Sequence, residues 1–172
     1  MNANANAEGQ RSGPVIAAAT FLGLGMGGFI DGILLHQVLQ WHQMISNWLP
    51  PDTLARSKVN MFWDGMFHLG TWTLTAVGLT LLWRLIGRSD VRFSTLIFVG
   101  SLIFGWGLFN VMDSVFDHYL FGFHNVRENV PNPQMWNHGF LAFGLLQSLA
   151  GWMVIQRGRN KPAVVATNVT AV

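Results

Sequence analysis

Four apolar stretches dictate what this chain can become. They run over about 14–44, 61–85, 93–121 and 135–155. A bilayer core needs about 20 predominantly apolar residues per helix. Inside lipid every backbone amide must be satisfied within its own segment, so stretches of this kind are helices. The expected fold is all-α: an integral membrane four-helix bundle over residues 14–156, with the lipid bilayer as its surroundings. Composition agrees, with 51% of the 172 residues hydrophobic and 10% charged, against about 25% charged in soluble domains. Nineteen glycines suit closely packed membrane helices. The first stretch is too long and too glycine-rich for a cleaved signal peptide. The low-complexity leader over 1–13 is expected to be disordered, and the tail over 157–172 is expected to be basic and then, after Lys161, disordered.

What the chain lacks removes several functions. With no cysteine there is neither a disulfide nor a thiolate metal site. The net charge is only +2, and the basic residues are scattered beside apolar segments, which argues against nucleic acid as a partner. "GLGMGG" (Gly23–Gly28) lies within a spanning helix, so it reads as a packing surface and not a nucleotide loop. Trp41, Trp48, Trp63 and Trp136 fit an aromatic belt at one interface. Met44, Met61, Met66 and Met135 lie at the same end and read as packing or lipid contacts.

Charge sets the expected orientation. Arg11, Arg84, Arg88, Arg92, Arg157, Arg159 and Lys161 fall at one end of the bundle; Arg56, Lys58 and Arg127 fall at the other. The positive-inside rule then puts both termini in the cytoplasm. "LPPD" (Leu49–Asp52) and "VPNP" (Val130–Pro133) mark the two loops that would face outward.

The polar residues gather on that outer side. Asp31 lies about 25 Å along the first helix at 1.5 Å per residue, with His36 and His42 beyond it. Asp64 and His68 open the second helix, Asp113, Asp117, His118 and His124 close the third, and Asn137 and His138 open the fourth. All six histidines thus share the outer half with Asp31, Asp64, Asp113 and Asp117, four of the eight acidic residues. An ionised carboxylate at membrane depth costs about 2.5–3.5 kcal/mol or more. Scattered structural hydrogen bonds, at about 0.6 kcal/mol each, are a poor reason to collect so many. A functional polar site is the better reading.

Part of the pattern recurs. Asp31, His36 and His42 have the spacing D-x4-H-x5-H, and Asp113, His118 and His124 repeat it 82 residues on. Gly23 and Gly25 match Gly105 and Gly107 at the same offset, and "FWDG" (Phe62–Gly65) is weakly echoed by "MWNHG" (Met135–Gly139). The bundle therefore reads as two pseudo-repeated helical hairpins related by an axis along the membrane normal. On ideal helices Asp64 and His68 share a face, while His36 points about 140° from Asp31. His42 would stand roughly 16 Å from Asp31 along the axis. Those angles favour His36, Asp64, His68 and His118 as one site, with His42, His124 and His138 nearer the outer surface. Asp31, Asp113 and Asp117 complete the candidate metal ligands, together with His42 and His124.

"FIDGILLHQVLQWHQM", "DGMFH" and "FNVMDSVFDHYLFGFHNVRE" resemble the bacterial membrane proteins grouped as domain-of-unknown-function family 2243, over roughly Phe21 to Gly151. The resemblance implies a bacterial inner-membrane location. It also implies a setting near respiratory-oxidase assembly or copper-handling membrane proteins. In that family the third motif usually ends in two histidines, where Asn125 stands here, and the fourth helix usually opens with Asp, where Asn137 and His138 stand. Both departures bear on any ligand from the fourth helix.

Three chemistries fit the residues. Imidazole with carboxylate suits a transition metal, Cu, Zn or Fe. His36 and His118 could instead hold a b-type haem of a membrane electron carrier. Asp and His chains also move protons or ions, though the cytoplasmic half has no ionisable residue deep in it. A structural subunit role is the fourth possibility. No nucleophile–base motif marks a catalytic residue.

Overall fold

The computed structural model describes residues 10–161. Its four long helices carry the four apolar stretches, and their ends are set by loop chemistry. Helix α1 spans Gly13–Ile30 and continues unbroken as a π-helical segment, Asp31–Val38. Helix α2 spans Leu54–Trp83 and starts at Thr53, whose hydroxyl accepts the Arg56 N–H. Helix α3 spans Thr95–Asp113 and also ends in a π-helical segment, Ser114–Leu120. Helix α4 spans Pro133–Asn160, with Pro133 in its first turn and the Asn132 side chain capping the Met135 N–H. Each is long and apolar enough to cross a membrane.

The bounds differ from the sequence expectation in three places. The first helix stops at Val38 and not near residue 44, because Gln40 adopts a left-handed φ of 51° and the Trp41 N–H turns back to the Leu35 carbonyl. The second helix begins at Leu54 and not near Met61: the Thr53 cap lets the polar residues before Met61 join it. The fourth continues to Asn160, past its apolar stretch. Within the expected leader, Arg11 is ordered: it exchanges backbone hydrogen bonds with Asp90 and Arg92. Residues 1–9 and 162–172 of the expected leader and tail lie outside the described residues.

Glycine decides how the helices meet. Helices α1 and α3 form the central pair, α2 packs on α1, α4 packs on α3, and α2 and α4 do not touch. At the centre Gly23 faces Gly105. A Cβ added to Gly23 would overlap the Leu102 carbonyl oxygen, and one added to Gly105 would overlap that of Thr20, so the two backbones are in direct contact. The flanking contacts are matched. Gly25 takes Thr71 and Thr75 of α2 while Gly107 takes Gly144 and Ser148 of α4; Gly78 takes Leu22 while Gly151 takes Phe104. Matched positions lie 82 apart in α1 and α3 and 73 apart in α2 and α4.

The end that carries the termini is apolar inside. Val15, Ala18, Leu85, Val91 and Ile97 form its core. Arg92 binds the carbonyls of Gly158, Arg159 and Lys161, satisfying the last turn of α4. The opposite end carries the two loops over 39–53 and 121–132, and all the buried histidines.

Candidate metal centre

The π-helical segments correct the first geometric expectation. In an α-helix, residues five apart diverge by about 140°; with i→i+5 bonding they fall on one face. Asp31 Oδ2 therefore lies 3.2 Å from His36 Nε2, and Asp113 Oδ2 lies 3.3 Å from His118 Nε2. The D-x4-H spacing is a π-helical pair occurring twice. The local departure from α-helix is what turns both histidines toward the acid that precedes them.

The loops correct the second. Because α1 ends at Val38, His42 does not stand a helix length away from Asp31. The chain folds back and places the His42 ring 4.4 Å from that of His36. The His124 ring stacks on His42 at 4.3 Å and 5° between planes, and packs edge-on to His118 at 5.0 Å and His36 at 5.7 Å. Both loop histidines, expected near the surface, are buried, at 3% and 1% exposure. Each is held by the opposite loop. His42 Nδ1–H donates to the Val126 carbonyl at 2.7 Å, and His124 Nδ1–H donates to the Met44 carbonyl at 2.9 Å. A carbonyl only accepts, so the proton sits on Nδ1 and the Nε2 lone pair is left free. Burial, reinforced by neighbouring histidines, lowers both groups below the ordinary histidine range, His124 to about 4. Burial thus favours the neutral imidazole, the form that binds metals.

Helices α2 and α4 hold the loops down from either side. Asp64 Oδ1 accepts the His36 Nδ1–H at 2.9 Å and the Met44 N–H at 2.8 Å. One turn earlier Asn60 accepts the Ile45 N–H and donates to the Leu49 carbonyl. On α4, Asn137 Oδ1 accepts the Val126 N–H at 2.9 Å, as Asp64 does for Met44, while its amide donates to Asn125 and leaves His118 untouched. The loops also bond each other: Ser46 donates to Glu128 at 2.6 Å, and Trp48 donates to the Phe121 carbonyl. Arg127 lies 4.8 Å from the ring centres of both Trp41 and Trp136. Burial pushes the Glu128 carboxyl up from its ordinary value. Asn60, Asn137 and Glu128 were not singled out as site residues in the sequence; the signals were the Asn60–Asp64 one-turn spacing and the shared Trp before Asp64 and Asn137.

Three candidates sit apart from the histidine core. His68 donates through Nδ1 to the Asp64 backbone carbonyl at 2.7 Å, and its ring lies against Gly32 beside Phe29 and Phe67. Asp117 is half-buried, with its carboxyl within hydrogen-bonding reach of Asp113. His138 donates to its own helix at the Gln134 carbonyl, outside the cluster.

In the middle His42 Nε2, His118 Nδ1 and His124 Nε2 are buried without a partner, while His36 Nε2 and His118 Nε2 face only the oxygens of Asp31 and Asp113, which they meet without forming a hydrogen bond. Their residues form two groups in which one ligand atom from each lies within 4.8 Å of the others: His36, His42 and His124, and Asp113, His118 and His124. Leaving so many buried polar atoms unpaired costs on the order of 1–3 kcal/mol each. A polar cavity of about 250 Å³, lined by Gln40, His42, Gln43, Ser57, Glu128 and Asn129 among others, reaches the cluster from the loop side.

A family model described as a predicted membrane protein (DUF2243) matches residues 18–158, the family that the histidine motifs resemble. No curated protein and no solved structure matches the chain.

Proposed function

The chain belongs to the DUF2243 family of predicted membrane proteins, and from that premise we propose that it binds a transition metal in the histidine–carboxylate cluster at the loop end of its membrane bundle. One observation carries this reading: four buried imidazoles and the Asp113 carboxylate bring ligand atoms within 4.8 Å of one another in two groups that share His124. Their supports are those of metal ligands. His42 and His124 donate Nδ1–H to carbonyls, and His36 donates to the Asp64 carboxylate, which orients each Nε2 and raises its basicity. Imidazole and carboxylate without thiolate fit Cu(II), Zn(II) or Fe(II) and disfavour a dedicated Cu(I) carrier. The family resemblance implies metal handling or respiratory-oxidase assembly as the setting. The seven basic residues at the end of the bundle that carries the termini support a cytoplasmic location for that end in a bacterial inner membrane. The cluster then opens outward, and the cavity between the loops is the route by which an ion reaches His42.

A haem between His36 and His118 has less support. His36 is bracketed by Asp31 and Asp64, its ring stacks on Phe67 at 5.4 Å, and the His124 ring packs against both histidines where a porphyrin would need a slot. Metal analysis and an optical spectrum of the detergent-purified protein test the reading. Bound transition metal without a Soret band is expected. A stoichiometric Soret band lost in His36→Ala or His118→Ala would make the cofactor haem, and metal-free protein that takes up none of the three metals would refute the site.

A further inference from the structure

Resting on that reading, we propose that the cluster is a two-ion centre: His36 and His42, with Asp31 beside His36, hold one ion, and Asp113, His118 and His124 hold a second beside it. Three observations lead there.

The first is the ligand inventory. Each half of the chain presents an Asp, a His five residues on across a π-helical segment, and a His six further on in the following loop. Within each half the acid and first histidine are already 3.2 or 3.3 Å apart. In the second half Asp113, His118 and His124 bring ligand atoms within 4.8 Å of one another, and two imidazoles and a carboxylate with open positions suit a divalent first-row ion.

The second is His124. It lies within reach of both groups of ligand atoms. Its Nδ1–H is committed to the Met44 carbonyl, so it offers one lone pair and serves one ion. Assigning it with Asp113 and His118 leaves His36 and His42, whose rings are in contact, for the other ion, with Asp31 Oδ2 3.2 Å from His36 Nε2.

The third is charge. Asp31, Asp64 and Asp113 are 3–5% exposed, Asp117 lies beside Asp113, and the cations paired with the first three among the described residues are histidines. Gathering four carboxyl groups in one buried region favours divalent cations there, since an uncompensated charge at that depth costs several kcal/mol.

The two sites are not equivalent. Asp64 accepts from His36 Nδ1, while Asn137, which makes the matching contact to the opposite loop, leaves His118 Nδ1 without a partner. The His36 ion is therefore held more tightly. Loss of such an orienting carboxylate typically weakens a metal 10–100-fold, so affinities differing by about that factor are expected. The His118 ion is the exchangeable one.

Loading the purified full-length protein with Co(II), followed by metal analysis and a titration, decides between the possibilities. Two Co(II) per chain, binding in two phases, with His118→Ala and His42→Ala each leaving one, is the expected result. His124→Ala should empty the weaker site only. Asn137→Asp should strengthen the weaker phase without altering the tighter one, a gain that a folding defect cannot imitate. One Co(II) per chain, lost entirely in either single variant, would overturn the two-ion centre while leaving metal binding intact. No Co(II), Zn(II) or Cu(II) at all would overturn both.

Discussion

Asp64 and Asn137 occupy matching places, and the difference between a carboxylate and an amide there has a measurable consequence. Asp64→Asn keeps an acceptor for the Met44 N–H but removes the charge that fixes His36. Metal affinity should fall about 10–100-fold in a competition titration against a chromophoric chelator, with the fold intact. Unchanged affinity would remove His36 from the ligand set. His138, bonded to its own helix outside the cluster, should be replaceable by Ala without loss of metal. At this scale the sequence was informative about identity and poor about position. The D-x4-H-x5-H spacing and the gathering of His and Asp at one end were visible. The proximity of Asp31 to His36 was not, because it depends on a π-helical turn that ideal 100° geometry excludes. His42 and His124 were placed too far out for a related reason: a hydrophobic run through Leu39 gives no sign that Gln40 reverses the chain.

Among the elements, the central α1–α3 pair positions everything else, because the two π-helical segments extend directly from it. Its contact depends on Gly23 and Gly105, where even one methyl meets the opposing backbone. Gly105→Ala should force the pair apart at a cost of about 1–3 kcal/mol, lowering the unfolding temperature in detergent and metal content together. Gly139→Ala, with open space around its Cβ position, is the control and should change neither. Unaltered stability in Gly105→Ala would mean that the two helices are not in backbone contact. The need for close packing was legible in the glycine content and in the recurrence of Gly23 and Gly25 at 105 and 107. Which glycine meets which carbonyl was not, since sequence gives the stripe on a helix but not the partner that lies against it. The polar start of α2 was hidden for a simpler reason: Leu54–Asn60 is too hydrophilic to read as part of a span, and only the Thr53 cap and the hold of Asn60 on the loop explain it.

For the whole molecule, the four spans were legible because lipid leaves so few ways to satisfy a backbone. Orientation rests on the distribution of Lys and Arg, seven at the termini end against three at the loop end. Reporter fusions in the loops at Pro51 and Asn129 should report an extracytoplasmic location, and a fusion at Ser89 a cytoplasmic one. The reverse pattern would put the cluster on the cytoplasmic side and change the pool of metal it meets.

The central claim is that imidazole and carboxylate, and nothing else from the protein, bind a metal in this bundle. X-ray absorption at the edge of the metal that copurifies with the protein tests it most directly. Nitrogen and oxygen scatterers at about 2.0–2.2 Å with the outer-shell pattern of several imidazoles are expected, and that pattern should weaken in His118→Ala. A sulfur shell at about 2.3 Å would move the ligands to the methionines, and a porphyrin signature, or metal without imidazole scattering, would contradict the site outright.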